Sequence, residues 1–136
     1  PCENSNISAA QMLWKTFTVA KIADELENNG VRCEIELKYK SVNIDSLKRT
    51  ITITVPIKRA EEPLNLGLLC TAFAPWILRY WFFSLFFSCI NNVNRGLGNA
   101  SKIKNDDFNN CIVIDSGAAL SKEQANNFIK NLNYFN

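Results

Sequence analysis

The sequence predicts an α/β domain: a small twisted sheet of at least three strands, with an antiparallel hairpin at one edge and helices covering it, the alternative being a two-layer α+β sandwich. Three observations carry that expectation. Start and stop signals frame a helix near the N-terminus, two central stretches alternate strictly between apolar and polar residues, and a short apolar run ahead of a capped helix closes the chain. At 136 residues the chain is read as a single domain, long enough to bury about two thirds of the surface its unfolded form exposes. It begins with Pro1 and shows no signal peptide, so a fragment or processed form of a longer chain is expected, cytoplasmic or virion-associated.

Ser8-Ala9-Ala10-Gln11 has the form of a capping box, and Asn29-Gly30 supplies a stop. Between them Val19, Ile22, Ala23 and Leu26 recur at helical spacing, with Lys21, Asp24, Glu25 and Asn28 opposite. Those acids are read as a solvated face rather than a ligand cluster. From Val31 to Lys40 the period changes to two: Val31, Cys33, Ile35, Leu37 and Tyr39 on one side, Arg32, Glu34, Glu36, Lys38 and Lys40 on the other. After the polar connection Ser41 to Arg49, Ile51, Ile53, Val55 and Ile57 alternate with Thr50, Thr52, Thr54 and Pro56, giving the second strand of a hairpin. Pro56 cannot donate to a ladder, so that strand is expected to be an edge or to end there. The charges of the first strand are assigned to cross-strand pairing on its wet face.

Leu66 to Ile90 is strongly apolar; Trp76, Tyr80, Trp81, Phe82, Phe83, Phe86 and Phe87 fall within twelve residues. Its length raises a membrane span. Pro75 and Arg79 near its middle argue against one, since a central Arg costs roughly 2.5 to 3.5 kcal/mol on insertion scales. Two helical pieces hinged near Pro75 are expected instead, the second apolar on nearly every side and therefore covered by the core or by a partner. Trp76, Arg79, Tyr80, Trp81, Phe83 and Phe87 are the candidate interaction surface. Asn91 to Asn110 reads as a long loop in which Gly96 and Gly98, within Arg95 to Asn99, are candidate anion binders. A P-loop's preceding strand and its Lys-Ser/Thr are missing, and a flexible connection is the competing reading.

Cys111-Ile112-Val113-Ile114 is read as a central strand covered on both sides. Asp115 and Ser116 follow at its carboxyl end, where open α/β sheets place ligands, and they are the candidate metal ligands. A plain turn into the closing helix is the reading with the larger share. Ser121-Lys122-Glu123-Gln124 starts that helix, with Ala125, Phe128, Ile129 and Leu132 directed inward.

Composition sets limits. The chain has no histidine, which excludes His-based triads and His-ligated metals. Lys and Arg are dispersed and the net charge is +2, without the basic patch of a nucleic-acid binder. Cys2, Cys33, Cys70, Cys89 and Cys111 are odd in number and lack zinc spacing, so reduced, mostly buried thiols are expected.

The order of helix, hairpin, helical stretch, apolar strand, acidic turn and helix resembles a von Willebrand factor A-type domain, or more broadly a Rossmann-like one, entered after its first strand. Ile114-Asp115-Ser116-Gly117 resembles the family's strand ending near Thr-Asp-Gly. Two further segments, Ala23 to Glu34 and Lys58 to Leu66 with Pro75 to Arg79, are similar to A-domain-like proteins of bacteriophages and mobile elements, and the abundance of Asn is compatible with such a source. The resemblance implies a metal site built on Asp-x-Ser-x-Ser, a threonine and a late aspartate. The first motif is absent and Arg59 to Leu66 holds no threonine, so only Asp115 answers to that site; no cofactor is expected, and Mg²⁺ would need ligands from a segment outside these residues.

The leading expectation is a non-catalytic binding or assembly module acting through protein contacts, with a protein partner or homo-oligomer and no nucleic acid. The competing one is a hydrolase or nucleotide-binding enzyme using Asp115, Ser116 and the Arg95 to Asn99 loop. Membrane insertion through Leu66 to Ile90 ranks third.

Overall fold

The computed structural model describes residues 7–42, 48–89, 99–100, 111–115 and 117–132. Helix α1 spans Ala9–Asn28. The Ser8 hydroxyl accepts from the Gln11 N–H at 3.2 Å, and the Gln11 side chain accepts from the Ser8 N–H at 2.7 Å, so the capping box forms as expected. At the other end Gly30 takes a φ of 78°, which a residue with a Cβ rarely adopts. Its N–H donates to the Glu27 carbonyl and that of Val31 to the Leu26 carbonyl, the paired bonds of a Schellman closure.

That closure explains why the first strand starts late. The Val31 N–H is committed to the helix end and cannot join a ladder, and strand β1 runs Ile35–Val42 rather than Val31 to Lys40. It pairs antiparallel with β2, Ile51–Lys58, from Ser41 opposite Ile51 to Ile35 opposite Lys58. Glu36 faces Pro56 while Ile35 faces Lys58, so Ile57 is an extra residue, a bulge. Beyond the bulge alternation fails, and Ile57 and Lys58 are both buried. The Glu36 carboxylate pairs at 3.0 Å with Lys38 on its own strand rather than across to β2.

β2 lies at the sheet edge, in keeping with Pro56. On the other side of β1, the two-residue β3, Asn99–Ala100, pairs antiparallel with Ser41 and Val42. The body of the sheet is thus the hairpin. The expected central strand Cys111 to Ile114 is not formed: these residues lie outside the described ladders, with Ile112, Val113 and Ile114 half-buried and Cys111 exposed. A four-residue apolar run shows only that the segment touches a core, not that it pairs.

Helix α2 spans Leu66–Ala72, capped by Asn65, whose Oδ1 accepts from the Leu68 N–H at 2.9 Å. The chain leaves helical geometry at Phe73 and Ala74 and re-enters it at Pro75, a ring preorganised for a first helical position. The second piece passes through a π-turn, Ile77–Trp81, into α3, Phe82–Cys89, so the hinge near Pro75 is present. Helix α4, Lys122–Lys130, starts at Ser121, whose hydroxyl accepts from the Gln124 N–H at 3.2 Å.

Ile7, Met12, Leu37, Ile57, Leu69, Ala72 and Phe73 form the core, joining α1 and α2 to one face of the hairpin. Glu36, Thr52, Thr54 and Pro56 on the other face are exposed. α4 packs on α1 with Ala125 fully buried. The domain is mixed α and β, and its described strand pairs are all antiparallel. Among the described residues no helix is long and apolar enough to cross a membrane.

Candidate functional site

Pro75 to Cys89 forms an arm. Ile77 at its base packs on the core. Beyond it, α3 makes its main contacts with the π-turn behind it rather than with the hairpin or α1. Trp76, Tyr80, Trp81 and Phe87 are 54%, 73%, 64% and 61% exposed, and Leu85, Ser84 and Ser88 are exposed among them. Aromatic side chains each carry about 150–250 Å² of surface, so roughly 500 Å² of ring surface faces solvent on one short segment. That is as large as the largest apolar patch of most monomers, which runs about 300–600 Å². Of the expected surface residues, Trp76, Tyr80, Trp81 and Phe87 are each exposed on this one segment; of Arg79 and Phe83 the structure describes the backbone alone.

Asp115, against α1, is half-buried. Its carbonyl oxygen accepts from the Lys15 ammonium at 2.6 Å and from the Ala118 N–H at 3.0 Å, which closes a turn ahead of α4. Ala119 in this turn holds a positive φ of 55° and is buried. The backbone of Asp115 therefore serves as an anchor on α1. Ser116, Gly96 and Gly98 lie outside the described residues, and among the described residues no cluster of three or more metal-ligating side chains occurs.

Two buried lysines escaped the sequence reading. Lys15, 1% exposed, sits on α1 beside Thr16 and Thr18, whose hydroxyls donate to the Met12 and Trp14 carbonyls at 2.9 Å. Lys58, 3% exposed, pairs with the Glu27 carboxylate at 2.5 Å and donates to the Cys33 and Arg59 carbonyls at 3.0 and 3.1 Å. Its ammonium, carried by β2, ties the end of α1 to the segment that leads into β1. Next to it, burial pushes the Cys33 thiol up, with Lys58 lowering it and Glu27 raising it again. Cys33 is half-buried and Cys70, Cys89 and Cys111 are exposed, which corrects the expectation of mostly buried thiols; all four are unpaired. Asp24 and Glu25, the acids read as a solvated face, are exposed and half-buried respectively, Glu25 pairing with Lys21 at 3.2 Å one turn away, whereas Glu27 on the same helix turns to Lys58.

These features define a mixed α/β domain with an apolar arm. The chain belongs to the family described as a domain of unknown function (DUF7192), which matches residues 2–136. No curated protein and no solved structure matches it.

Proposed function

We propose that the chain is a non-catalytic binding or assembly module that acts through protein contacts made by the Trp76 to Phe87 face. The exposure of Trp76, Tyr80, Trp81 and Phe87 on one arm carries the reading. Burying four such side chains is worth about 6 to 12 kcal/mol, enough to compete with association costs of about 4 to 15 kcal/mol. Four unpaired cysteines support a reducing setting, cytoplasmic or virion-associated. A von Willebrand A-like arrangement with a twisted sheet of at least three strands belongs to the same proposal. The succession of helix, hairpin and helical pieces supports it, and the place of Cys111 to Ile114 outside the described ladders weighs against it.

The discriminating experiment sets the arm against the Asp115 turn. Anilinonaphthalene sulfonate should bind the purified chain and lose most of its fluorescence with the double variant Trp76→Ser/Trp81→Ser, while Asp115→Ala leaves it unchanged. Dye binding that survives the double variant, or a stoichiometric Mg²⁺ heat in calorimetry that Asp115→Ala removes, would replace this reading with the hydrolase or nucleotide-binding one.

A further inference from the structure

The arm's face is large, apolar and nearly free of charge: Arg79 is the single charged residue from Pro75 to Cys89. Those properties discriminate between occupants. A helix lying in a membrane surface needs a polar side rich in Lys and Arg beside its apolar one, and this segment has no such side. An acidic or basic partner would find no array of opposite charges here. A second copy of the same face meets none of these obstacles, because apolar surface is complementary to itself and a lone cation per copy repels weakly.

Shape and size point the same way. Tyr80, Ser84, Phe87 and Ser88 follow one another at helical spacing and are all exposed, so the face alternates rings with gaps. Roughly 500 Å² of rings from each of two copies, with Leu85 and flanking atoms, brings the buried total to about 1,000–1,200 Å², where specific interfaces begin.

We propose that this face docks a second copy of the chain, the two arms crossing antiparallel about a two-fold axis near Ser84. Tyr80 of one copy then fills the gap at Ser88 of the other, and Trp81 lies against Phe87. The proposal rests on the reading of the arm as a protein-contact surface and names its partner.

Sedimentation velocity of the full chain over a micromolar to hundred-micromolar series should show a dimer. Trp81→Asp and Ser84→Glu should each weaken it at least about tenfold, with far-ultraviolet circular dichroism unchanged. Ser84→Glu adds charge at an exposed position without removing a ring, so it decides the matter should Trp81→Asp misfold. A dimer that persists in both variants places the interface elsewhere and overturns the proposal. A monomeric wild type overturns it too, and dye binding on the same samples then separates two cases. If Trp81→Asp removes the dye signal, the arm is a docking surface for a different protein; if the signal is indifferent to the variant, the protein-contact reading falls as well.

Discussion

In the body of the domain, α1 and β2 draw the ammonium groups of Lys15 and Lys58 inside, whereas the arm from Pro75 to Cys89 leaves Trp76, Tyr80, Trp81 and Phe87 in solvent. Hydropathy alone would reverse both placements. The difference lies in which partners are within reach. Lys58 meets a carboxylate and two carbonyls, and Lys15 meets a carbonyl at a turn, so burial costs neither its hydrogen bonds. Trp76, Tyr80, Trp81 and Phe87 keep most of their surface uncovered, because α3 makes its main contacts with the π-turn instead of the hairpin. For these two lysines and four rings, burial follows available partners rather than hydropathy.

The most severe test of that contrast is Lys58→Met. It keeps an apolar side chain of similar length but leaves the Glu27 carboxylate and two carbonyls without their donor. The cost should be about 3 kcal/mol, near the lower end for breaking a buried pair because Glu27 is itself partly solvated. Urea denaturation measures it, and a loss under about 1 kcal/mol would show that the ammonium is held no better than at the surface. Lys15→Met should cost about 2 kcal/mol by orphaning acceptors at the turn. Asp115→Ala should leave the backbone carbonyl that accepts from Lys15 and Ala118 in place, so any cost it shows in the same urea measurement belongs to the carboxylate.

A chemical comparison sharpens the same point. At neutral pH, alkylation followed by mass spectrometry should find Cys33 modified more slowly than exposed Cys70, Cys89 and Cys111. The raised Cys33 thiol keeps its proton to higher pH in the folded chain than in the unfolded one. Its contribution is therefore fully present below the ordinary thiol range and lost as pH climbs through the raised value. The smallest effect belongs to the arm: Trp81→Ser, measured on dilute protein, should shift stability by no more than about 0.5 kcal/mol, as expected of a mostly exposed side chain.

Local signals were legible wherever the chemistry was local. Ser8 with Gln11, Gly30 and Pro75 each act within a turn of themselves, and the structure places each as read. The alternation of Leu37 and Tyr39 with Lys38 and Lys40 likewise matched their burial. What failed needed information from elsewhere in the chain. The bulge at Ile57 inverts the face expected for Lys58, and the residues that receive the ammonium are 25 and 31 positions away or next to it. Lys15 is satisfied by Asp115, 100 residues distant, so its helix position resembles any solvent-facing lysine until the fold is known. Cys111 to Ile114 misled because a short apolar run carries no record of its pairing. Of the candidate site, the identity of the aromatic residues was readable; their exposure was not, since it depends on where α3 points.

The π-turn at Ile77–Trp81 gives that direction an angular meaning. A π-turn holds about one residue more than an α-turn, and each α-helical residue advances the chain by about 100° around the axis. Ile77 on the core side and Phe87 on the solvent side are thus held in phase by a single surplus residue. Removing one residue from this turn would restore plain α-helical winding and swing everything from Phe82 onward by roughly a quarter-turn or more, presenting a different set of rings to solvent. The aim of the arm is set by residue count, independently of which side chains the arm carries.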